Sequence, residues 1–219
     1  RRGKSGPDEM KIVLASSNRN KYREMKEAFG PIGVELIYGG DTDVSIEVDE
    51  TGDSYEENAL LKARAWSEAL GMAALADDSG LEVQAPGGAP GVHSARAVPG
   101  SDADRTMWLL SQMEGAEDRR ARFVSCIAVV FPDKEPPLVY RGICSGTIAS
   151  NPRGSGGFGY DPIFIPDGYN ATFAELGNQI KTKISHRAMA IKGIAEMLIP
   201  VLQYYAVRTM EKSRFVQGQ

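Results

Sequence analysis

Asp77 and Asp78 stand side by side after a short apolar run, Met72-Ala73-Ala74-Leu75-Ala76, with Ser79-Gly80 behind them. The run reads as a buried strand and the Ser-Gly as its turn. Adjacent carboxylates at a strand terminus repel each other, so folding alone gives little reason for the pair. A divalent cation, or a proton to be abstracted, supplies one. An ordinary polar turn is the other reading of the same four residues.

Four more stretches carry chemistry of a matching kind. Leu14-Ala-Ser-Ser-Asn-Arg-Asn-Lys21 presents backbone N–H groups and small hydroxyls where a helix begins, a geometry that holds phosphate, and Lys21 adds a mobile cation. The glycine spacing of a Walker loop is absent, and a plain helix cap accounts for the stretch equally. Glu50 precedes a helix on which Asn58 and Lys62, four residues apart, share a face. A carboxylate there could hold a metal while Lys62 meets phosphate oxygens; a solvated helix face is the alternative. Arg153-Gly-Ser-Gly-Gly-Phe-Gly-Tyr-Asp161 places four glycines within seven residues, which implies close backbone approach or positive φ. Its Phe158 could stack on a planar ring or tuck into the core. The context is wrong for a dinucleotide or kinase glycine loop. Ser185-His186-Arg187 caps a last helix, where imidazole and guanidinium could read the edge of a purine or simply form a cap with a surface ion pair.

The elements that must position these groups are legible from period and punctuation. Lys11–Ala15 and Val34–Tyr38 read as strands around a helix over Lys21–Phe29, which Gly30-Pro31 ends. Ser54 and Glu57 have capping-box spacing, followed by Tyr55, Ala59, Ala63, Trp66 and Leu70 at helical period and Gly71 as terminator. Asp102–Met113 reads as another helix. Phe123–Phe131 and Leu138–Ile148 read as a hairpin with a wide loop, which puts Cys126 and Cys144 roughly opposite each other if the turn centres near Lys134–Glu135. Ile191, Ile194, Ala195, Leu198 and Leu202 mark a final amphipathic helix. Helices between strands plus a long hairpin predict an α/β fold with a mixed sheet.

Composition bounds the rest. The chain has 219 residues, 42% hydrophobic and 25% charged, with a net charge of −4. A general nucleic-acid binder usually carries a basic excess, which is missing here. No run approaches a membrane span, and Arg1–Glu9 lacks the apolar region of a secretory signal, so these nine residues are expected to be an extension outside the fold. Two cysteines are too few for a disulfide scaffold and suggest a reducing compartment, with both thiols free.

Taken in order, the motifs resemble the inosine triphosphate pyrophosphatase family. They are Ser16-x-Asn18-x-x-Lys21, Glu50-Thr-Gly-x-x-Tyr-x-x-Asn58-Ala-x-x-Lys62-Ala, Ala76-Asp-Asp-Ser-Gly-Leu81, Gly88-x-Pro-Gly-Val-x-Ser-Ala-Arg96, Gly156-Gly-Phe-Gly-Tyr-Asp-Pro-Ile-Phe164 and Ser185-His-Arg187. The resemblance covers about Met10 to Leu198. It implies an elongated two-lobed α/β fold with a long mixed sheet flanked by helices and a cleft between the lobes. The implied activity is hydrolysis of non-standard purine nucleoside triphosphates to monophosphate and pyrophosphate, by a cytoplasmic homodimer that binds neither membrane nor nucleic acid.

It also implies roles for individual residues. Ser16, Ser17, Asn18, Arg19, Asn20 and Lys21 would form the triphosphate loop. Glu50, Asp77 and Asp78 would hold Mg²⁺, with Asp78 as the base for the attacking water. Lys62 and Ser79 would contact phosphate, Phe158, Gly159, Tyr160 and Asp161 would hold base and sugar, and Lys181, His186 and Arg187 would read the purine 6-keto edge. His93 stands where the family usually has tyrosine. The expected organisation is a catalytic domain over 10–198 and a C-terminal helical extension and tail over 199–219, past the usual end. The related Maf-type pyrophosphatases share the opening strand and loop but lack the Ser-His-Arg and Gly-Gly-Phe-Gly-Tyr-Asp pair. A nucleotide sensor with the same pocket would bind without turnover.

Overall fold

The computed structural model describes residues 10–44, 46–133 and 135–217, so the extension over 1–9 lies outside the described residues. Its strands are β1 (Met10–Leu14), β2 (Val34–Tyr38), β3 (Ala73–Val83), β4 (Pro90–Gly91), β5 (Arg120–Val130), β6 (Leu138–Ile148) and β7 (Phe164–Pro166). Its helices are α1 (Arg19–Phe29), α2 (Tyr55–Leu70), α3 (Asp102–Gln112), α4 (Phe173–Leu176), α5 (Asn178–Ile184) and α6 (His186–Gln217). The strands form one mixed seven-stranded sheet in the order β2-β1-β3-β5-β6-β7, with β4 pairing on β3. β1 is parallel to β2 and β3, as crossover helices require, and the long β3-β5-β6 ladder is antiparallel.

The three long strands are shared by separate cores. At one end, Leu14, Leu75, Ile127 and Val129 pack under α1 and α6 on one face, while Val13, Ala74, Ala76 and Ala128 pack under α2 on the other. At the other end, Leu81, Phe123, Ile163, Phe164 and Phe173 pack with Leu109 of α3 and Met113, the residue that follows it. This gives the two lobes expected from the sequence.

β3 departs from the sequence reading. It does not stop at Ala76 and turn at Ser79-Gly80; it continues through both aspartates to Val83, in unbroken register with β5. Gly80 is a close-approach residue, not a turn residue. A Cβ there would collide with the Gly91 carbonyl on β4, the Ser94 hydroxyl and the Tyr55 phenol.

The hairpin register also corrects an expectation. Cys126 faces Arg141 and Cys144 faces Phe123, so the two thiols are offset along the ladder, and alternation puts them on opposite faces. Both are free and buried, Cys126 beside Tyr55 and Val124 and Cys144 among the Phe123 core. Other elements follow their signals closely. Ser54 caps α2 by accepting from the Glu57 N–H, while the Glu57 carboxylate accepts from the Asp53 N–H, one residue before the cap. Gly71, in the left-handed region, ends that helix. α6 runs without interruption through Leu198, with Pro200 inside it, so residues 199–217 continue the same helix. Among the described residues, no helix is long and apolar enough to cross a membrane.

Candidate active site

β1 pairs with β3 only as far as Leu14 opposite Leu75, and β4 takes up pairing at Leu81. Between them the edge of β3 from Ala76 to Gly80 is open, at the carboxyl end of a parallel strand, where α/β sheets commonly place ligands. A cleft of about 420 Å³ opens over this edge. It is lined by Asn18, Asn20, Lys21, Glu50, Lys62, Asp78, Ser79, Phe158, Gly159, Tyr160, Asp161, Lys181, His186 and Arg187, fourteen residues singled out from the sequence. Ser16, Ser17 and Asp77 line an adjoining hollow that shares Lys21, Glu50 and Lys62 with it. Arg19 is not brought in: its guanidinium lies over the Tyr38 ring and 3.5 Å from Asp41.

The turn after β1 forms as its residue types dictate. Asn18 caps α1 by accepting from the N–H groups of Asn20 and Lys21, and Ser16 Oγ accepts from the Asn18 N–H. From the first turn of α1, Lys21 Nζ reaches the Asp77 carboxylate at 2.8 Å and the Asp77 carbonyl at 3.3 Å. From α2, Lys62 Nζ donates to the same carbonyl at 3.1 Å, to Glu50 at 2.7 Å and to Asp78 at 3.0 Å. Two ammonium groups thus converge on one unpaired backbone oxygen. Arg96, on the loop after β4, holds the other oxygen of Glu50 at 2.6 Å.

Strand alternation separates the two aspartates. Asp77 points toward α1 and α6, and Asp78 toward α2, so they do not form one acidic pair. The Asp77 side chain is fully buried; besides Lys21 it accepts from Ser125 Oγ and from Arg187 Nε at 3.3 Å. Burial pushes its carboxyl toward the neutral form, but Lys21 and Arg187 outweigh burial and hold it well below the usual carboxylate range. Asp78 shows the opposite balance. Burial, with the Glu50 and Asp77 charges adding to it, raises its pKa against the lowering by Lys62, and Asn58 contributes only a long contact of 3.4 Å. For Lys62 the neighbouring Asp78 and Glu50 outweigh burial and raise the pKa, whereas for Lys21 burial wins and lowers it.

The fit of a divalent cation follows from these donors. Glu50 and Asp78 present hard oxygens to the cleft, already gathered around a cation, and suit Mg²⁺. Asp77 is set apart from them: its side chain is fully buried on the other face of β3, among Lys21, Ser125 and Arg187, and does not line the cleft. Among the described residues no three His, Cys, Asp or Glu side chains come together as a metal cluster.

The glycine-rich loop forms the far wall. Gly157 sits at φ +74°, and a Cβ there would strike the Asp161 carboxylate, which turns back to accept from the Phe158 N–H at 2.9 Å. Lys181 Nζ donates to Asp161 at 2.6 Å and lies 4.0 Å from the centre of the Phe158 ring. Phe158 therefore faces the cleft and is not tucked into the core. Tyr160 is buried and donates to the Ser94 carbonyl.

Ser185 caps α6 by accepting from the Ala188 N–H, which delivers His186 and Arg187 to the cleft. Each Arg187 nitrogen has a partner: Nε on Asp77, Nη1 on Glu24 at 2.8 Å and Nη2 on Ser79 at 3.1 Å. The imidazole of His186 is buried, stacks on Phe123 at 4.7 Å between centroids, and has no partner on Nδ1. Burial, with Arg187 beside it, lowers its pKa well below the ordinary value.

That depression has a measurable sign. The folded state keeps His186 neutral while the unfolded chain takes up a proton as pH falls below about 6.5, so stability present above that pH is lost on acidification. The expected contribution is a slope approaching about 1.4 kcal/mol per pH unit below it. Urea denaturation of the wild type and His186→Asn from pH 7.5 to 5 checks this: the wild type should lose more stability than the variant, and parallel profiles would contradict it.

Glu24, Ser125, Asp102 and Arg105 also belong to this site or its walls and carry no sequence signal of their own beyond their helix or strand positions; Arg96 closes the Gly88–Arg96 motif but carries no assigned role there. Fold and cleft together define an α/β protein whose open strand edge is flanked by buried lysines and carboxylates on one side and an aromatic platform on the other. The chain belongs to the Ham1 family, whose model matches residues 12–197. It is 50% identical over 196 residues to a dITP/XTP pyrophosphatase of Symbiobacterium thermophilum, covering 88% of this chain and 97% of that one. A HAM1 protein from Coxiella burnetii superposes with a TM-score of 0.80 at 40% identity, covering 86% and 98%. A dITP/XTP pyrophosphatase from Mycobacterium abscessus gives 0.70 at 45% identity, covering 84% and 98%.

Proposed function

We propose that this protein hydrolyses deaminated purine nucleoside triphosphates, inosine, deoxyinosine and xanthosine triphosphates, to the monophosphate and pyrophosphate. The carrying observation is one cleft with two lysines and the Asp78 carboxylate on one side and Phe158, Lys181 and His186 on the other. The names of the relatives support the same substrate class.

In this reading the phosphates meet Lys21, Lys62 and the Asn18–Lys21 turn. Glu50 and Asp78 would hold Mg²⁺, which would supply neutralisation of phosphate charge and polarisation of a phosphoryl oxygen. Asp78 accepts the proton of a water that attacks the α-phosphorus; the new P–O bond forms as the bond to the bridging oxygen breaks, and pyrophosphate leaves with that oxygen. A carboxylate whose proton affinity is raised by burial suits that task better than an ordinary one. Asp77 is a structural anion that seats Lys21 and Arg187. The purine lies against Phe158, with Lys181 and His186 lining the cleft beside it. With its nitrogens engaged, Arg187 acts chiefly by holding Asp77, Glu24 and Ser79. A homodimer in a reducing cytoplasm completes the proposal, in keeping with a chain of only two cysteines.

Phosphate products from inosine, xanthosine, guanosine and adenosine triphosphates in Mg²⁺ test the reading. Pyrophosphate should appear from the first two and far more slowly from adenosine triphosphate. Orthophosphate instead would mean attack at the γ-phosphorus and would overturn it.

A further inference from the structure

The first turn of α3 carries two acidic residues with different tasks. Asp104 completes a capping box: Ser101 Oγ accepts from the Asp104 N–H, and the Asp104 carboxylate accepts from the Ser101 N–H at 2.7 Å. Asp102 is therefore not needed for the cap. Its Oδ2 accepts instead from the Gly159 N–H at 2.7 Å, across 57 residues of sequence. Its Oδ1 is held at 2.6 Å by Arg105, which is itself fixed by donating to the Gly100 carbonyl. Thr106, one turn on, makes a longer 3.4 Å contact to the Gly159 carbonyl. Asp102 and Arg105 both line the cleft.

Gly159 directly follows Phe158, the ring that forms the platform. Gly154 and Gly156 lie against Ala174 of α4, but behind the Phe158–Gly159 end of the loop lies a second cavity of about 310 Å³, lined by Thr106, Met107, Pro152 and the glycines. A glycine-rich end with space on both sides depends on its hydrogen bonds to keep one backbone conformation. The Asp161 carboxylate fixes the Phe158 N–H, and Asp102 is the charged group that fixes the next amide.

We propose that Asp102, braced by Arg105, is a positioning residue that latches the Phe158–Gly159 platform from α3 and thereby sets affinity for the purine ring. The inference rests on the proposed function for its kinetic arm but not for its structural one. The platform holds the base equally in ground and transition states, so weakening the latch raises KM and spares kcat.

The test pairs Asp102→Ala with Asp102→Asn, whose amide oxygen still accepts from Gly159. Hydrogen exchange of the peptide covering 153–160 reads the latch with no substrate present. In Asp102→Ala, exchange at Gly159 should accelerate about tenfold or more, KM for inosine triphosphate should rise by a similar factor, and kcat should stay within about threefold. Asp102→Asn should restore most of both. Unchanged exchange in Asp102→Ala, or a loss confined to kcat, would overturn the proposal. A wild type that releases no pyrophosphate while Asp102→Ala still loosens Gly159 would overturn the proposed function and leave the latch standing.

Discussion

Asp78→Asn is expected to lose about 10²- to 10⁴-fold in turnover while still binding nucleotide, the range that a positioned general base contributes. The substitution keeps shape and volume on the α2 face of β3 and removes only the anion. Lys62 keeps Glu50 at 2.7 Å and the Asp77 carbonyl at 3.1 Å, so it stays in place. Single-turnover rates with inosine triphosphate, set beside calorimetric binding of the same nucleotide, separate chemistry from affinity. Near-normal turnover in the variant would take Asp78 out of the mechanism.

Arg187→Ala is expected to act first on folding, by about 3–5 kcal/mol, the cost of breaking a buried ion pair from one side. The guanidinium is 3% exposed and joins Asp77 on β3, Glu24 on α1 and Ser79 on β3, which ties the start of α6 to the sheet. Removing it leaves the buried Asp77 carboxylate with Lys21 as its one cation, beside the hydroxyls of Ser125 and, at 3.5 Å, Ser79. Urea denaturation at pH 7.5 measures the loss, and the double variant Arg187→Met, Asp77→Asn should recover part of it by deleting the stranded charge. A loss under about 1 kcal/mol, the range of an exposed pair, would show that the arginine is free to serve the ligand instead.

These two residues also show where the sequence was readable. The glycine loop, the helix caps and the lysines on α1 and α2 announce themselves through local spacing, because the forces that fix them act within a few residues. Arg187 and Asp77 are 110 residues apart, and nothing local marks them as a buried pair. Their neighbours Glu24 and Ser125 read as unremarkable surface-type residues for the same reason. The run of β3 through Asp-Asp-Ser-Gly was obscured in another way. Those residue types favour turns, and the strand persists because ten register pairs with β5 hold it and cations on both faces neutralise it. Local preference yields there to tertiary pairing, at the place where the chemistry sits.

Consecutive placement of Asp77 and Asp78 also makes this stretch far less tolerant of length changes than of substitutions. A one-residue deletion before Asp77 that β3 absorbed by sliding would turn every following side chain to the opposite face. The proton acceptor would then enter the pocket of Lys21 and Arg187, the structural anion would move into the place of Ala76 in the apolar core under α2, and Ser79 would face Lys62. Gly80 would leave the point where β4 crosses, and a bulkier neighbour would meet the Gly91 carbonyl. Variation in this strand can therefore proceed by exchanging residues in place, whereas insertions and deletions are confined to the loops at its ends.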